Sequence, residues 1–174
     1  GVLFKKESLS VTKKPQETKL TIQQKGDVLS MKSEKLKVDV DFKSGKISYY
    51  TLAGVELLKE TESGATFTDF DDVGSKTYSI NQLFTLDKDE AIYGLGQQQR
   101  GKLSLRNTKI NMIQDNKDDY VPFLVSTKGY GLFWDNYSPT TFEDKPGSTS
   151  LKSEVGDCID YYFMIGGTID GSIA

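Results

Sequence analysis

The sequence predicts an all-β protein of antiparallel strands. Three observations predict it. Apolar residues alternate with polar ones at a period of two, clusters of Gly, Asn, Asp and Pro separate the alternating runs, and helical periodicity is nearly absent. Roughly a dozen strands at this spacing suit a sandwich or barrel.

The elements follow in order. "TKLTIQQ" and "DVLSMKS" read as two strands parted by "KGD". "KLKVDVDF" puts Leu36, Val38, Val40 and Phe42 on one face and charged residues on the other. "KSGK" (Lys43–Lys46) is a glycine turn into "ISYYTL", a hairpin signature. Ala53–Gly54 turns the chain into "VELLKE". Then come "KTYSINQLFTL", "VPFLVS", "YGLFWDN", "TSLKSEV" and "CIDYYFMIG", rich in β-branched and aromatic residues. Pro122 and Phe123 open one strand, where proline is tolerated. Lys128–Gly129 forms the tip of the next hairpin. Asp160, Tyr161, Tyr162 and Phe163 form the last strand. "TIDGSIA" starts a helix capped by Asp170. A helix start without the helix that follows suggests a piece of a longer protein. No internal repeat or low-complexity linker divides the chain, so residues 1–174 read as a single domain.

Bulk properties exclude several functions. A chain of 174 residues can bury a real core without staples. The net charge of −3 favours neither nucleic acid nor an anionic membrane, and no apolar run approaches the roughly 20 residues of a membrane span. Residues 1–40 carry nine lysines against five acids, which reads as a solvated strand face. Histidine is absent, which excludes Ser-His-Asp and Cys-His catalysis and the usual zinc sites. The single cysteine, Cys158, permits no internal disulfide and reads as a buried, inert thiol. "NKDDY" and "DFDDVG" (Asp69–Gly74) lack the spacing of a calcium loop and read as solvated acidic turns. The lone Trp134 lies between a sugar-stacking platform and a half-buried strand residue, and its alternation with Leu132 favours the strand.

"YGLGQQQRG" (Tyr93–Gly101) raises the question of a phosphate loop. Its glycines, Gly94, Gly96 and Gly101, match neither the dinucleotide nor the P-loop spacing, and "KLSLRNTKINMI" shows no helical stripe after them. Gly94 and Gly96 instead allow sharp backbone turns where the sheet folds over.

Taken in order, "YGLGQQQRG", "IQDN" (Ile113–Asn116), "VPFLVSTKGYGLFWDN" (Val121–Asn136) and "DYYFMIGG" (Asp160–Gly167), preceded by the "LKVDVDFKSGKISYYTLAGVELLKE" hairpin, resemble the N-terminal β-sandwich of glycoside hydrolase family 31. The resemblance covers residues 15–172 and leans toward the bacterial α-xylosidase-type members. It implies an antiparallel two-sheet supersandwich of galactose-mutarotase-like fold, packed beside a catalytic (β/α)8 barrel downstream. The family's two catalytic carboxylates lie on that barrel in a retaining mechanism. No catalytic residue is therefore expected here, no cofactor or metal is implied, and the chain alone is expected to be inactive. The implied partners are the barrel and an α-linked oligosaccharide, xylosyl or glucosyl, with no nucleic acid and no membrane span. The resemblance fits a periplasmic or exported bacterial enzyme.

In the family a sandwich loop reaches the sugar pocket. "RNTKINMIQDNKDDY" matches it, with Gln114, Asp115 and Asn116 as the substrate-binding candidates. Asn116 stands where many members carry Asp, or the acid is shifted to Asp115. Amides and carboxylates suit sugar hydroxyls because both form directional hydrogen bonds. Two other functions have their own requirements. A free-standing mutarotase needs histidines. A carbohydrate-binding module needs exposed aromatics, which nine Tyr and nine Phe permit.

Overall fold

The computed structural model describes residues 7–99 and 101–173. Over that span the strands are β1 (Thr21–Lys25), β2 (Val28–Lys32), β3 (Lys37–Asp41), β4 (Ile47–Tyr50), β5 (Glu56–Glu60), β6 (Thr66–Asp72), β7 (Ser75–Thr85), β8 (Ile92–Gly94), β9 (Lys109–Met112), β10 (Phe123–Ser126), β11 (Tyr130–Trp134), β12 (Thr140–Lys145), β13 (Ser148–Ser153) and β14 (Tyr161–Ile165). One short helix, α1 (Ile169–Ile173), follows.

The strands form two antiparallel sheets, as the sequence predicts. The large sheet runs β1-β2-β3-β4-β5-β7-β13-β12-β9, with β6 also paired to β7. The small sheet runs β14-β11-β10-β8. The long strand β7 makes this width possible. Its start pairs with β6 and its end with β5, so the two shorter strands lie end to end along one edge.

Alternation decides which residues meet between the sheets. Leu58, Ile80, Phe84, Phe142 and Leu151 face inward from the large sheet, and Ile92, Leu124, Tyr130, Leu132 and Trp134 from the small one. Two polar networks cross this core with their groups bonded. Asp144 accepts from Arg106 Nε at 3.0 Å, from the Asn107 amide at 2.7 Å and from Thr149 Oγ1 at 2.6 Å. Glu90 accepts from Tyr130 Oη at 2.6 Å and from Ser126 Oγ.

Several expectations change. Trp134 is fully enclosed rather than half-buried, because its Nε1 finds Ser153 Oγ at 2.8 Å, so the whole indole can leave water. Cys158 is half-buried rather than enclosed, since it precedes β14 on the linking loop. The helix cap is Thr168, not Asp170: Thr168 Oγ1 accepts the Gly171 amide at 3.0 Å, three residues on, and Asp170 lies inside the first turn. "DFDDVG" is mostly strand, forming the end of β6 and a two-residue turn at Val73–Gly74. Four strands, β6, β8, β9 and β12, were not distinguished by sequence alternation.

Candidate functional site

The glycines of "YGLG" steer the chain out of the small sheet. Gly94, Leu95 and Gly96 have φ of +117°, +61° and +88°. Three successive positive values bend the backbone sharply off β8. At Gly94 a Cβ would stand 2.5 Å from the Phe123 carbonyl oxygen, and at Gly96 one would stand 2.0 Å from that of Asp119. Leu95 adopts the left-handed conformation at a cost of about 1 kcal/mol, and its side chain is buried in the core. The expected role of Gly94 and Gly96 as turn residues therefore has a specific cause, close approach of two backbones.

That approach stitches two loops together. Gln97 and Asp119 exchange backbone hydrogen bonds, 2.8 Å from the Gln97 amide and 3.0 Å from the Asp119 amide. The Gln99 amide donates to Asp118 Oδ1 at 2.9 Å, and Tyr120 Oη donates to Asp118 Oδ2 at 2.9 Å. Arg106 anchors the segment leading to β9, donating to the carbonyls of Asp87, at 2.8 Å, and Glu90. The motif and the loop that carries the sugar-binding candidates are thus one structural unit.

The three candidates lie together on its tip, yet they are not equivalent. Gln114 uses its whole amide internally: Oε1 accepts the Tyr120 amide at 2.8 Å and Nε2 donates to the Tyr120 carbonyl at 3.2 Å. The side chain thereby imitates a strand partner. Asp115 Oδ1 accepts the amides of Lys117 and Asp118 at 2.7 and 2.8 Å, closing an Asx turn. "NKDDY" is accordingly an ordered turn rather than a merely solvated one. Asn116 is exposed at the apex, with no side-chain hydrogen bond among the described residues. A groove of about 480 Å³ runs beside the turn, lined by Met112, Gln114, Tyr120, Pro122, Phe133 and Tyr137.

Sequence reading passed over Gln97, Gln99, Asp118, Tyr120 and Arg106. No periodicity reports that loops some twenty residues apart will pair. The one available signal was the density of polar side chains on both loops. The chemistry offered at the apex is directional hydrogen bonding from Asn116 beside an aromatic-edged groove. Among the described residues no group of three or more His, Cys, Asp or Glu side chains is placed to hold a metal ion.

The chain is similar to known proteins. An α-xylosidase of Saccharolobus solfataricus is 32% identical over 155 residues, which cover 84% of this chain and 21% of that protein. The crystal structure of a GH31 α-xylosidase from Xanthomonas citri superposes with a TM-score of 0.76 and 32% identity, covering 81% of this chain and 15% of that one. A GH31 α-xylosidase from a soil metagenome, solved with xylose, shares the fold at a TM-score of 0.82 and 22% identity, over 94% of this chain and 27% of its own. The chain thus spans about a fifth of the length of the curated α-xylosidase it matches. Residues 2–143 match the family described as the glycosyl hydrolase 31 N-terminal galactose mutarotase-like domain, and with the two sheets and the stitched turn in place, the chain belongs to that family.

Proposed function

We propose that this chain is the N-terminal, non-catalytic sandwich of a retaining α-glycosidase, and that residues 1–174 form a single domain whose catalytic (β/α)8 barrel lies downstream. The observation that carries this reading is the 32% identity over 84% of the chain to an α-xylosidase of which that match covers only 21%. The parent reaction is hydrolysis of a terminal α-xylosyl residue, the sugar class named for both relatives of that identity. The domain packs on the barrel and lends its 114–120 turn to the sugar pocket.

Within that turn the three candidates divide the work. Gln114 and Asp115 hold the apex in shape, and Asn116 meets a sugar hydroxyl. The free amide of Asn116 supports this assignment, as do the internal bonds of the other two. A carbohydrate-binding module is less well supported, because the one tryptophan is sealed in the core. The test uses a chromogenic α-xyloside. The intact polypeptide should hydrolyse it and the 174-residue chain should not. Asn116→Ala in the intact polypeptide should raise KM or lower kcat; turnover by the 174-residue chain, or an unchanged Asn116→Ala enzyme, would overturn the respective claim.

A further inference from the structure

A trough of about 680 Å³ runs across the outer face of the large sheet, over β6, β7, β13, β12 and β9. Alternation sets its lining. Ile80, Leu151 and Phe142 turn inward to the core, so Asn81, Lys152 and Thr141 beside them turn outward. Thr66, Asn81, Lys152, Thr141 and Asn111 are successive cross-strand neighbours in one row. Leu83, Ser150, Glu143 and Lys109 form the next row.

Much of the hydrogen-bonding capacity of these rows is unspent. Thr141 Oγ1 donates to Asn111 Oδ1 at 3.0 Å, which leaves Asn111 Nδ2 for another acceptor. Among the described residues, no hydrogen bond or ion pair engages the side chains of Thr66, Asn81, Lys109 or Lys152. Thr66, Lys109, Asn111 and Lys152 are exposed, and Asn81 and Thr141 are half-buried. The sheet therefore fixes the backbone of each group while its polar end stays available.

The lining selects the class of ligand. Lys109 and Lys152 are balanced by Glu143 and Glu154, so the trough gives no preference to an anion. Lysine, glutamate and serine are depleted at the centres of protein interfaces, and no aromatic ring of the described residues lines the trough. Donors and acceptors are instead interleaved, which suits sugar hydroxyls, because each of them both donates and accepts. The spacing agrees. Adjacent strands lie about 4.8 Å apart, so the five-strand row spans about 19 Å. One strand step is close to the length of one pyranose unit, and a linear chain laid across the sheet meets a new side chain at each sugar. Leu83, Ile113 and Pro139 add apolar surface for the C–H faces of the rings.

We propose that this trough binds a linear, neutral oligosaccharide, held by hydrogen bonds from Thr66, Asn81, Lys152 and Asn111. The site goes beyond the functional reading above and stands without it, since this chain's own sheet builds it and the 114–120 turn takes no part. Ile113 at its β9 end immediately precedes Gln114, so the trough and the turn adjoin. Without an aromatic platform the affinity is low, with a dissociation constant on the order of a millimolar.

Titration of the 174-residue chain with maltohexaose and with cellohexaose, followed by nuclear magnetic resonance, tests the proposal. The side-chain amides of Asn81 and Asn111 should shift saturably with at least one of the two sugars. Asn81→Ala and Lys152→Ala should each weaken that binding at least about fivefold, and both should keep the melting temperature, because each side chain lies on the outer face. No saturable shift at Asn81 and Asn111 with either sugar, or binding undiminished in both variants, would overturn the site. Shifts confined to Gln114–Asn116 would do the same by giving the sugar to the turn alone. Tighter binding of hexagalacturonate would overturn the neutral class, and shifts that grow with protein concentration in the absence of sugar would assign the trough to a second copy. Glycosidase activity is read separately on the intact polypeptide: an inactive protein with a sugar-binding trough would sink the functional reading and leave this one standing.

Discussion

Gly96 passes so close to Asp119 that a Cβ added there would stand 2.0 Å from the Asp119 carbonyl oxygen and 2.8 Å from the Val121 amide nitrogen. Both of these obstacles are backbone atoms, so neither can rotate away. Gly101 also has positive φ, +64°, but open space around its missing Cβ. The pair separates two costs that usually come together. Gly101→Ala should lose only the conformational term, about 1 kcal/mol. Gly96→Ala must also break the Gln97–Asp119 stitch, and should lose roughly 2–4 kcal/mol. Denaturant unfolding of both variants measures the difference. Equal losses would mean that the loops do not depend on close approach.

Val73 sits at φ +51° with 99% of its surface exposed, and Gly74 follows at +89°. Asp72 pairs with Ser75 across these two residues, so the turn is a two-residue hairpin of type I′. A β-branched residue is poorly suited to that conformation, and this one gains nothing from burial. Val73→Asn should therefore stabilise the chain by about 1 kcal/mol, raising its melting temperature in a calorimetric scan. A lowered melting temperature would mean that Val73 makes a contact the exposed geometry does not contain.

The same turn explains part of what could be read in advance. The β3–β4 hairpin was legible because Gly45 and strict alternation announce it. The β6–β7 hairpin was hidden because Val73 stands where Asn or Asp would signal a type I′ turn, and because Asp69, Asp71 and Asp72 disguise an exposed strand as an acidic loop. Strands β8 and β9 are too short for alternation to register. At the site, residue types pointed to the turn at 114–116, but not to its division of labour. That Gln114 is consumed by Tyr120 and Asn116 is left exposed depends on a backbone approach that only the fold supplies.

Glu60 accepts from Tyr161 Oη and from the Ile47 amide at 2.8 Å, and Tyr49 donates to Tyr161 in turn, which ties β4 and β5 to β14. Burial, more than any neighbour, raises both tyrosines, Tyr49 to about 12 and Tyr161 well above the ordinary value. The sign follows. The unfolded tyrosines ionise near 10 and the folded ones only above that, so their neutral forms stabilise the fold fully below pH 10. That stability is lost as pH rises from about 10 through 12. Thermal melts across this window should show a steep alkaline fall. Tyr161→Phe should cost about 1–3 kcal/mol at neutral pH by stripping Glu60 Oε1 of its hydroxyl donor, and should flatten the alkaline fall. An unchanged alkaline slope in Tyr161→Phe would place the titration elsewhere.

Asp135 and Asp160 face one another across β11 and the approach to β14, joined by the hydrogen bond from the Asp135 amide to the Asp160 carbonyl at 3.0 Å. Asp135 Oδ1 is enclosed and receives no hydrogen bond among the described residues, and a carboxylate neighbour cannot supply one while it is ionised. Burial first, and then the charge of Asp135, pushes the Asp160 carboxyl above its ordinary value of 3.8. A raised carboxyl disfavours the fold once it is ionised, and the penalty vanishes where folded and unfolded chains are both protonated. Wild-type stability should consequently lose a small increment as pH rises from about 3.8 through the elevated folded value. Asp160→Asn removes the charge and offers Asp135 an amide donor. Because Asp160 is only half-buried and solvent screens it, the gain at neutral pH should be about half a kcal/mol. It should shrink toward zero below pH 3.8, where protonated Asp160 can itself donate. Urea titrations of the two proteins at neutral and acid pH measure both parts. A gain that persists undiminished in acid would show that the amide acts through packing rather than through the missing charge.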